Sequence, residues 1–308
     1  MLEHAGTTSG AALWAIVLAG GQGVRLLPLV RELCGDERPK QFAKIMGSKS
    51  LLRHTLDRVG LKIPPAQTVI VTCHSHSKYM AEEFAEMPGQ RILVQPEDRG
   101  TAAGVLFAAH WIYSQDPDAV VGVFPSDHFI LNGSTFMSHI TNLAAFVRRQ
   151  PARLVLVGAP ADAPEREYGW IEPGKQLGLI GVNSVRQVRR FWEKPSEQQA
   201  RACLTAGCLW NTMVIVANLS TLLEAGRKLL PELTGCLVRA ADHLSAGRVS
   251  EMKQEYGLAP RADFSRMVLE ACPLLLAVST PPELIWSDLG TPPRVRKTLA
   301  MVASNGAD

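Results

Sequence analysis

The sequence lacks long apolar runs, paired cysteines and a large surplus of charge. Its longest apolar segments, 14–19 and 274–278, fall short of the roughly 20 residues that a membrane-spanning helix needs. The 6 cysteines have no paired spacing and no secretion signal precedes Trp14, which predicts free thiols in a reducing cytoplasm. The net charge of +3 is too small to favour nucleic acid or an anionic membrane as the main partner. We therefore expect a soluble, cytoplasmic protein without either partner.

Short apolar runs alternate with longer amphipathic stretches through the first half of the chain. Strands are predicted at 14–19, 68–72, 91–95, 119–125 and 153–158, and helices at 50–59, 76–86, 101–114 and 134–149. This alternation predicts an α/β fold with a Rossmann-like, mixed but mostly parallel sheet flanked by helices. Ligands of such sheets bind beyond the carboxyl ends of the strands.

From residue 160 the pattern changes to short segments that glycine and proline interrupt. The predicted elements are antiparallel strands at 168–172, 182–193 and 210–217, helices at 219–244 and 263–270, and a late strand at 274–279. Because the sequence has no internal repeat or low-complexity linker, we expect a single domain over 13–300, with halves 13–160 and 161–300. Residues 1–12 are predicted to be a flexible arm and 301–308 a C-terminal tail.

Glycines follow the first predicted strand directly. Gly20, Gly21 and Gly23 let backbone N–H groups approach phosphate oxygens, while Arg25 and Lys40 can neutralise their charge. Taken alone, the segment is explained equally well as a strand-to-helix turn with incidental glycines. It is not a P-loop, because no Gly-Lys-Ser or Gly-Lys-Thr follows, and its spacing is not that of the G-x-G-x-x-G motif.

Asp127 follows another apolar strand, 119–124, and its carboxylate is predicted at the same ligand-facing edge. Mg²⁺ prefers one or two carboxylates together with phosphate oxygens. From the dipeptide Asp127-His128 alone, a residue that only caps a loop is the better explanation. The segments around it change that preference.

Several segments, in order, resemble the sugar-1-phosphate nucleotidyltransferase family, and most of all its mannose-1-phosphate guanylyltransferase branch. The matching segments are 18–29 with 39–42, 95–102, 124–128, 165–171, 191–195, 210–212 and 286–290. The resemblance spans residues 14–290, and the segments together are far more specific than any one of them. It implies the nucleotide-diphospho-sugar transferase type of α/β fold.

The resemblance also implies a set of site residues. Those implied in nucleotide binding are Leu18, Ala19, Gly20, Gly21, Gly23, Gln95, Arg99, Gly100 and Thr101, with Arg25 and Lys40 as the catalytic residues. Those implied in sugar-phosphate binding are Asp127, Gly169, Glu193, Lys194 and Asn211. Asp127 and Asp288 are the implied ligands of Mg²⁺. The implied halves are a nucleotide-binding half, 13–160, and a sugar-phosphate-binding half, 161–300.

The reaction that the resemblance implies transfers GMP from GTP to mannose 1-phosphate and gives GDP-mannose and pyrophosphate. The attacking oxygen belongs to a phosphate that is already an anion, so no general base is needed and catalysis is positioning and charge neutralisation. The neutral guanine base is expected at the backbone of Arg99 and Gly100. A homo-oligomer is one of the states that the sequence allows.

The sequence departs from the family pattern at two positions of the sugar side. Met213 follows Trp210-Asn211-Thr212 where the family usually has glycine, and Ser265 occupies a usual aspartate position. These departures leave two alternatives open. One is the same reaction with another nucleotide or hexose 1-phosphate, and the other is a catalytically weak regulator that binds a nucleotide sugar.

Overall fold

The computed structural model of the chain describes residues 11–85 and 89–304. Residues 1–10 of the predicted arm and 305–308 of the predicted tail lie outside the described residues. The strands are β1 Leu13–Leu18, β2 Thr68–Cys73, β3 Arg91–Gln95, β4 Val120–Pro125, β5 Phe129–Ile130, β6 Leu154–Pro160, β7 Gly169–Ile180, β8 Asn183–Glu193, β9 Leu209–Asn218, β10 Leu276–Ser279 and β11 Trp286–Ser287. The helices are α1 Leu27–Cys34, α2 Leu51–Gly60, α3 Ser77–Phe84, α4 Thr101–Tyr113, α5 Gly133–Arg149, α6 Glu197–Thr205, α7 Leu219–Leu229, α8 Pro231–Ser245, α9 Val249–Gly257 and α10 Pro292–Ser304.

Nine of the strands in the described part of the chain form one sheet, in the order β3-β2-β1-β4-β9-β6-β10-β8-β7. β1 pairs in parallel with β2 and β4, and β6 in parallel with β10. β9 runs antiparallel between β4 and β6, and β8 runs antiparallel to β10 and β7. All the other strands of the sheet therefore share one direction, which confirms the mixed, mostly parallel sheet.

Helices cover both faces of the sheet because its central strands are apolar on both sides. Every residue of β2 and β4 is buried. On one face α4 packs with α7 and α8, and nearly all of α4 is apolar, as expected of a helix enclosed on every side. On the other face α2 and α5 bury amphipathic stripes. The site described below lies at the carboxyl ends of β1 and β4.

The second half of the chain agrees with the sequence less closely than the first. β7 runs on to Ile180 through Pro173 and Gly174, and bulges between it and β8 accommodate those residues. The helix predicted over 219–244 is two helices, since Leu230 precedes Pro231 and leaves the helical region. Helices α6, α9 and α10 were not predicted, and α10 includes the first residues of the expected tail. Within 11–85 and 89–304, no helix combines the length and apolar character needed to cross a membrane.

Candidate active site

The glycine loop after β1 packs directly against Lys40. Gly23 has φ +62°, and a Cβ there would lie 2.8 Å from the Lys40 Cβ and 2.9 Å from its backbone N, so only glycine fits. Gln41 donates from Nε2 to the carbonyls of Ala19 (2.8 Å) and Gly21 (2.9 Å). These bonds tie both sides of the loop to the Lys40–Phe42 turn. The structure thus brings the predicted glycine loop and Lys40 together.

Lys40 connects the two halves of the chain. Its side chain is 6% exposed, and Nζ lies 2.9 Å from the Asp127 carboxylate and donates to the backbone carbonyl of Asp288. Ser126 fixes the neighbouring segment, because its N–H and its hydroxyl both donate to the Leu18 carbonyl. Burial raises the pKa of the Asp127 carboxyl, but the charge and hydrogen bond of Lys40, together with His128 and a backbone hydrogen bond, hold that pKa below its usual value. Asp127 is therefore a carboxylate at neutral pH.

The Asp288 carboxylate has partners that the sequence did not reveal. Tyr168 donates its hydroxyl to Oδ1 (2.7 Å), the Gly290 N–H donates to Oδ1 (2.9 Å), and Arg294 Nη1 donates to both oxygens (3.2 and 3.1 Å). The Arg294 guanidinium also lies 4.3 Å from the centre of the Tyr168 ring and pairs with Glu165. Burial raises the pKa of Asp288, while Arg294, Tyr168, His128 and Lys40 together lower it below its usual value.

Asp127 suits a magnesium ion better than Asp288 does. Its side chain is 30% exposed, with one oxygen 2.9 Å from Lys40 Nζ and the other 3.8 Å from His128 Nε2, which leaves oxygen lone pairs for a metal. Both oxygens of Asp288 already accept hydrogen bonds, so a metal there requires Arg294 to move. In residues 11–85 and 89–304 no three His, Cys, Asp or Glu side chains are grouped as a ready-made metal site. Phosphate oxygens of the substrates would have to complete the coordination.

Arg25 follows the glycine loop and pairs with Glu167 at the surface. Its Nη1 is 3.0 Å from the Glu167 carboxylate, and both side chains are more than half exposed, at 54% and 53%. An exposed pair of this kind contributes little to stability. Arg25 is therefore free to exchange Glu167 for a phosphate group.

The segment predicted to read the base is fixed by bonds within the protein. Gly100 has φ +87°, its N–H donates to Asp98 Oδ1 (2.8 Å), and a Cβ there would lie 2.3 Å from the Ala262 carbonyl oxygen. The Arg99 carbonyl accepts from the Ala262 N–H (3.0 Å). Those two backbone groups are occupied, so the predicted backbone contact with guanine stays a prediction that needs other atoms of the segment.

Gln95 and Thr101 hold this segment in place. Gln95 is buried, and both polar atoms of its side chain are hydrogen-bonded. Its Nε2 donates to the Thr72 carbonyl (3.3 Å), and its Oε1 accepts from the Tyr256 hydroxyl (2.6 Å). The Thr101 hydroxyl accepts from the Phe264 N–H (2.9 Å). The geometry gives both side chains a supporting contact beside α4, whereas their predicted nucleotide contacts stay predictions.

Most of the predicted sugar-side residues meet at the start of β7. Gly169 pairs with Glu193 in the β7–β8 register, and a Cβ on Gly169 would lie 3.0 Å from Glu193 Oε2 and 3.1 Å from Asn211 Cβ. Lys194, with φ +51°, donates its N–H to the Tyr168 carbonyl (3.3 Å). Four of the five residues predicted on the sugar side, Gly169, Glu193, Lys194 and Asn211, are therefore close together, whereas Asp127 lies beside Lys40.

Glu193 is protonated more readily than an ordinary glutamate. Burial raises the pKa of its carboxyl to about 7, and the negative charges of Asp263 and Glu270 add to the effect. Near neutral pH this side chain can both donate and accept a hydrogen bond, which suits a sugar hydroxyl.

The two departures from the family pattern contact each other. Ser265 Oγ lies 3.4 Å from Met213 Sδ. Met213 has φ +59°, and its N–H donates to the Asn211 side-chain oxygen (3.0 Å). Between the pairs Leu156–Ile215 and Gly158–Asn211, β9 advances four residues while β6 advances two, so Met213 sits in a bulge. A methionine thus fills a backbone position that favours glycine.

Known proteins resemble this chain along most of its length. A family model described as nucleotidyl transferase matches residues 14–304. The chain is 29% identical over 294 residues to mannose-1-phosphate guanylyltransferase 2 of Escherichia coli O157:H7, covering 92% of this chain and 59% of that protein. It is 31% identical over 284 residues to the xanthan biosynthesis protein XanB of Xanthomonas campestris pv. campestris strain B100, covering 90% of this chain and 57% of that one.

A solved structure shares the fold over most of the chain. The crystal structure of a Thermus thermophilus protein, described as a mannose-1-phosphate geranyltransferase, matches with a TM-score of 0.74 at 28% identity and covers 90% of this chain and 76% of that one. The two curated relatives are longer, and the chain spans 59% and 57% of their lengths.

Proposed function

Because the chain belongs to the nucleotidyl transferase family, as its motifs predicted, we propose that it transfers GMP from GTP to mannose 1-phosphate. The products are GDP-mannose and pyrophosphate. Both curated relatives compared above are matched along most of this chain, and one is named for this activity. The proposal places the reaction in the cytoplasm, where GTP is available.

The observation that carries the proposal is the position of Lys40. Its ammonium group lies between the Asp127 carboxylate and the Asp288 carbonyl, and its backbone lies under Gly23 of the glycine loop. Because oxygen acceptors already hold the Lys40 ammonium group in place, its side chain does not have to be ordered when negative charge develops on a nearby phosphate. Arg25, which follows the same glycine loop, adds a second cation.

The reaction is a substitution at phosphorus. A phosphate oxygen of mannose 1-phosphate forms a bond to the α-phosphorus of GTP, and the bond from that phosphorus to the bridging oxygen of pyrophosphate breaks. Lys40 and Arg25 neutralise the triphosphate. On the sugar side, Glu193 and Asn211 bind hydroxyl groups and Lys194 meets the sugar phosphate. No residue has to remove a proton, because the nucleophile is an anion.

Magnesium is part of the proposal. Asp127 would hold it together with substrate phosphate oxygens, and Asp288 would join only if Arg294 moved. When bound, Mg²⁺ withdraws charge from the phosphates and helps to align them.

The test is pyrophosphate release from a panel of GTP, ATP, UTP, CTP and dTTP, each with mannose 1-phosphate and glucose 1-phosphate. We expect release with GTP and mannose 1-phosphate, and its loss on chelation of Mg²⁺. Release with another pair would keep the reaction and change the substrates. Tight GTP binding without release from any pair would favour the regulator instead.

A further inference from the structure

A cavity of about 720 Å³ lies behind the candidate active site. It is enclosed by α2, the loop 46–49, β5, the start of α5 and α10. Much of its wall is apolar, including Leu51, Phe129 and Leu299, whereas Arg58 and His128 contribute polar groups. His128 is adjacent to Asp127, so the cavity and the active site share one wall.

Arg58 is a buried cation without an acidic partner in the described residues. The residue is 8% exposed and no ion pair in 11–85 or 89–304 includes it. Its Nη2 donates to the Thr55 hydroxyl (2.9 Å), whereas Nε is buried with no hydrogen-bond partner. Burial lowers the pKa of its guanidinium to about 10, so the group is still charged at neutral pH. An uncompensated charge in such a place costs stability until an anion meets it.

The N-terminus of α5 lies against the aliphatic stem of Arg58. A Cβ on Gly133 would be 3.2 Å from Arg58 Cγ, so the arginine stem lies against the first residue of the helix. Asn132, with φ +58°, provides no side-chain cap, and no acidic residue occupies the first turn. The first backbone bond is from the Phe136 N–H to the Asn132 carbonyl, so the preceding N–H groups of the 17-residue helix lack partners within it. The helix dipole adds positive potential there.

We propose that this cavity binds the phosphate group of a small molecule. Arg58 provides the cation, and the backbone at the start of α5 provides further N–H donors. The volume exceeds what a free phosphate fills, and the apolar wall gives room for the rest of a phosphorylated metabolite. The site is distinct from the loop at Gly23, and its existence does not depend on the transfer reaction proposed above.

The test compares the intact chain with Arg58→Met in thermal unfolding and titration calorimetry with inorganic phosphate, at constant ionic strength in chloride. We expect phosphate to raise the Tm of the parent protein in a saturable manner. Arg58→Met should have a higher Tm than the parent without phosphate, because an unpaired buried charge is removed. Its phosphate affinity at this site should fall by about tenfold or more.

Two further variants keep the test decisive. Arg53→Met removes an arginine of the same helix that pairs with Glu83 at 3.4 Å, and it should keep the parent response to phosphate. Arg58→Lys retains a charge but loses the planar donor pair, so it should bind phosphate more weakly than the parent. Equal phosphate responses in the parent, Arg58→Met and Arg58→Lys would overturn the proposal, as would no response in the parent.

The source of the phosphate is distinguished by adding mannose 6-phosphate and GMP as separate ligands. If either produces a larger Arg58-dependent increase in Tm than inorganic phosphate does, the ligand is a phosphorylated metabolite. If only inorganic phosphate produces one, the ligand is free phosphate. If neither monoester nor phosphate gives an Arg58-dependent increase, the site does not exist.

Discussion

The Lys40 ammonium group is bound by protein oxygens instead of water. Its side chain is 6% exposed, and the Asp127 carboxylate and the Asp288 carbonyl take the place of hydration. Lysine is compact and its charge is concentrated at one atom, so a phosphate oxygen placed beside Nζ gains a strong interaction. The same contacts make the residue part of the fold as well as of the chemistry.

Replacing Lys40 should therefore remove activity first and stability second. We expect Lys40→Met to lower kcat for pyrophosphate release by roughly 100-fold or more, because a preoriented cation is lost. Asp127 is partly exposed, so the free energy of unfolding should fall by only about 1–3 kcal/mol. The exposed neighbour Lys44 supplies the control, and Lys44→Met should retain parent activity. Parent-like turnover of Lys40→Met would remove Lys40 from the mechanism.

Met213 gives a prediction about strain. The positive φ of Met213, which is not a glycine, costs about 1–2 kcal/mol of stability. The contact between the Met213 sulfur and Ser265 offsets part of that cost. Met213→Gly relieves the backbone and loses the contact, so the free energy of unfolding should change by less than about 1 kcal/mol. Met213→Ala loses the contact and keeps the strain, and it should be the less stable of the two. Denaturant unfolding checks the order, and an equal loss in both variants would contradict it.

Glu193 predicts a dependence of stability on pH. The pKa of its carboxyl is raised from the ordinary 4.5 to about 7 in the folded protein, so the protonated form favours folding. That contribution to stability is lost as pH rises from 4.5 to 7. Glu193→Gln does not ionise. The free energy of unfolding of Glu193→Gln minus that of the parent should therefore increase by about 2 kcal/mol between pH 5 and pH 8, with allowance for solvent screening.

Glu197→Gln is the matched control for Glu193. The hydrogen bond from Arg201 lowers the pKa of Glu197, so this substitution should not reproduce the increase. Unfolding in denaturant at several pH values measures both variants. A difference between parent and Glu193→Gln that does not vary with pH would show that Glu193 titrates normally.

The helices and strands that the sequence predicted well are those with a strong local pattern. β1 and β4 are short, apolar runs, β2 is an apolar run with two threonines, and α5 has a clear amphipathic stripe. α10 was missed, although Pro292 at its first turn is a typical helix-start signal. Its residues face the core only at isolated positions such as Val295, so no apolar run revealed it.

The site could be predicted only as far as local motifs extend. The glycine loop, Lys40 and Asp127 stand in recognisable segments, and the fold brings them together. Tyr168 was missed as a partner of Asp288 because their contact joins distant parts of the chain, for which spacing along the sequence carries no signal. Arg294, six residues from Asp288, was missed because α10 was not predicted.

α10 is predicted to stabilise the site through Arg294. Side chains of Arg294 and Asp288 are 13% and 12% exposed, so Arg294→Met leaves a buried carboxylate with two neutral donors. We expect the free energy of unfolding to fall by about 2–4 kcal/mol. Arg296→Met, on the exposed side of the same helix, is the control and should change it little. Equal stability of the two variants would contradict this role of the pair.

The whole molecule is organised by one sheet to which both halves of the chain contribute. β9, from the second half, lies between β4 and β6 of the first. Neither half can separate without breaking pairs at the centre of the sheet. The predicted division at residue 160 is therefore not a boundary between two cores, because both halves share the same core.

This shared sheet predicts a single cooperative unfolding transition. Far-ultraviolet circular dichroism and tryptophan fluorescence should give coincident curves, and the calorimetric and van't Hoff enthalpies should agree. Trp14 reports on the first half, and the cluster of Trp170, Trp210 and Trp286 on the second. Separate fluorescence and dichroism midpoints would show that the halves unfold independently.

The central claim concerns which phosphorus atom is attacked. GTP labelled with phosphorus-32 at the α or the γ position is incubated with mannose 1-phosphate, Mg²⁺ and the protein, and the products are separated by chromatography. The account predicts that the α label appears in GDP-mannose and the γ label in pyrophosphate, and that Lys40→Met slows the appearance of both by roughly 100-fold or more. Appearance of the γ label on the sugar phosphate, or no transfer of either label, would contradict it.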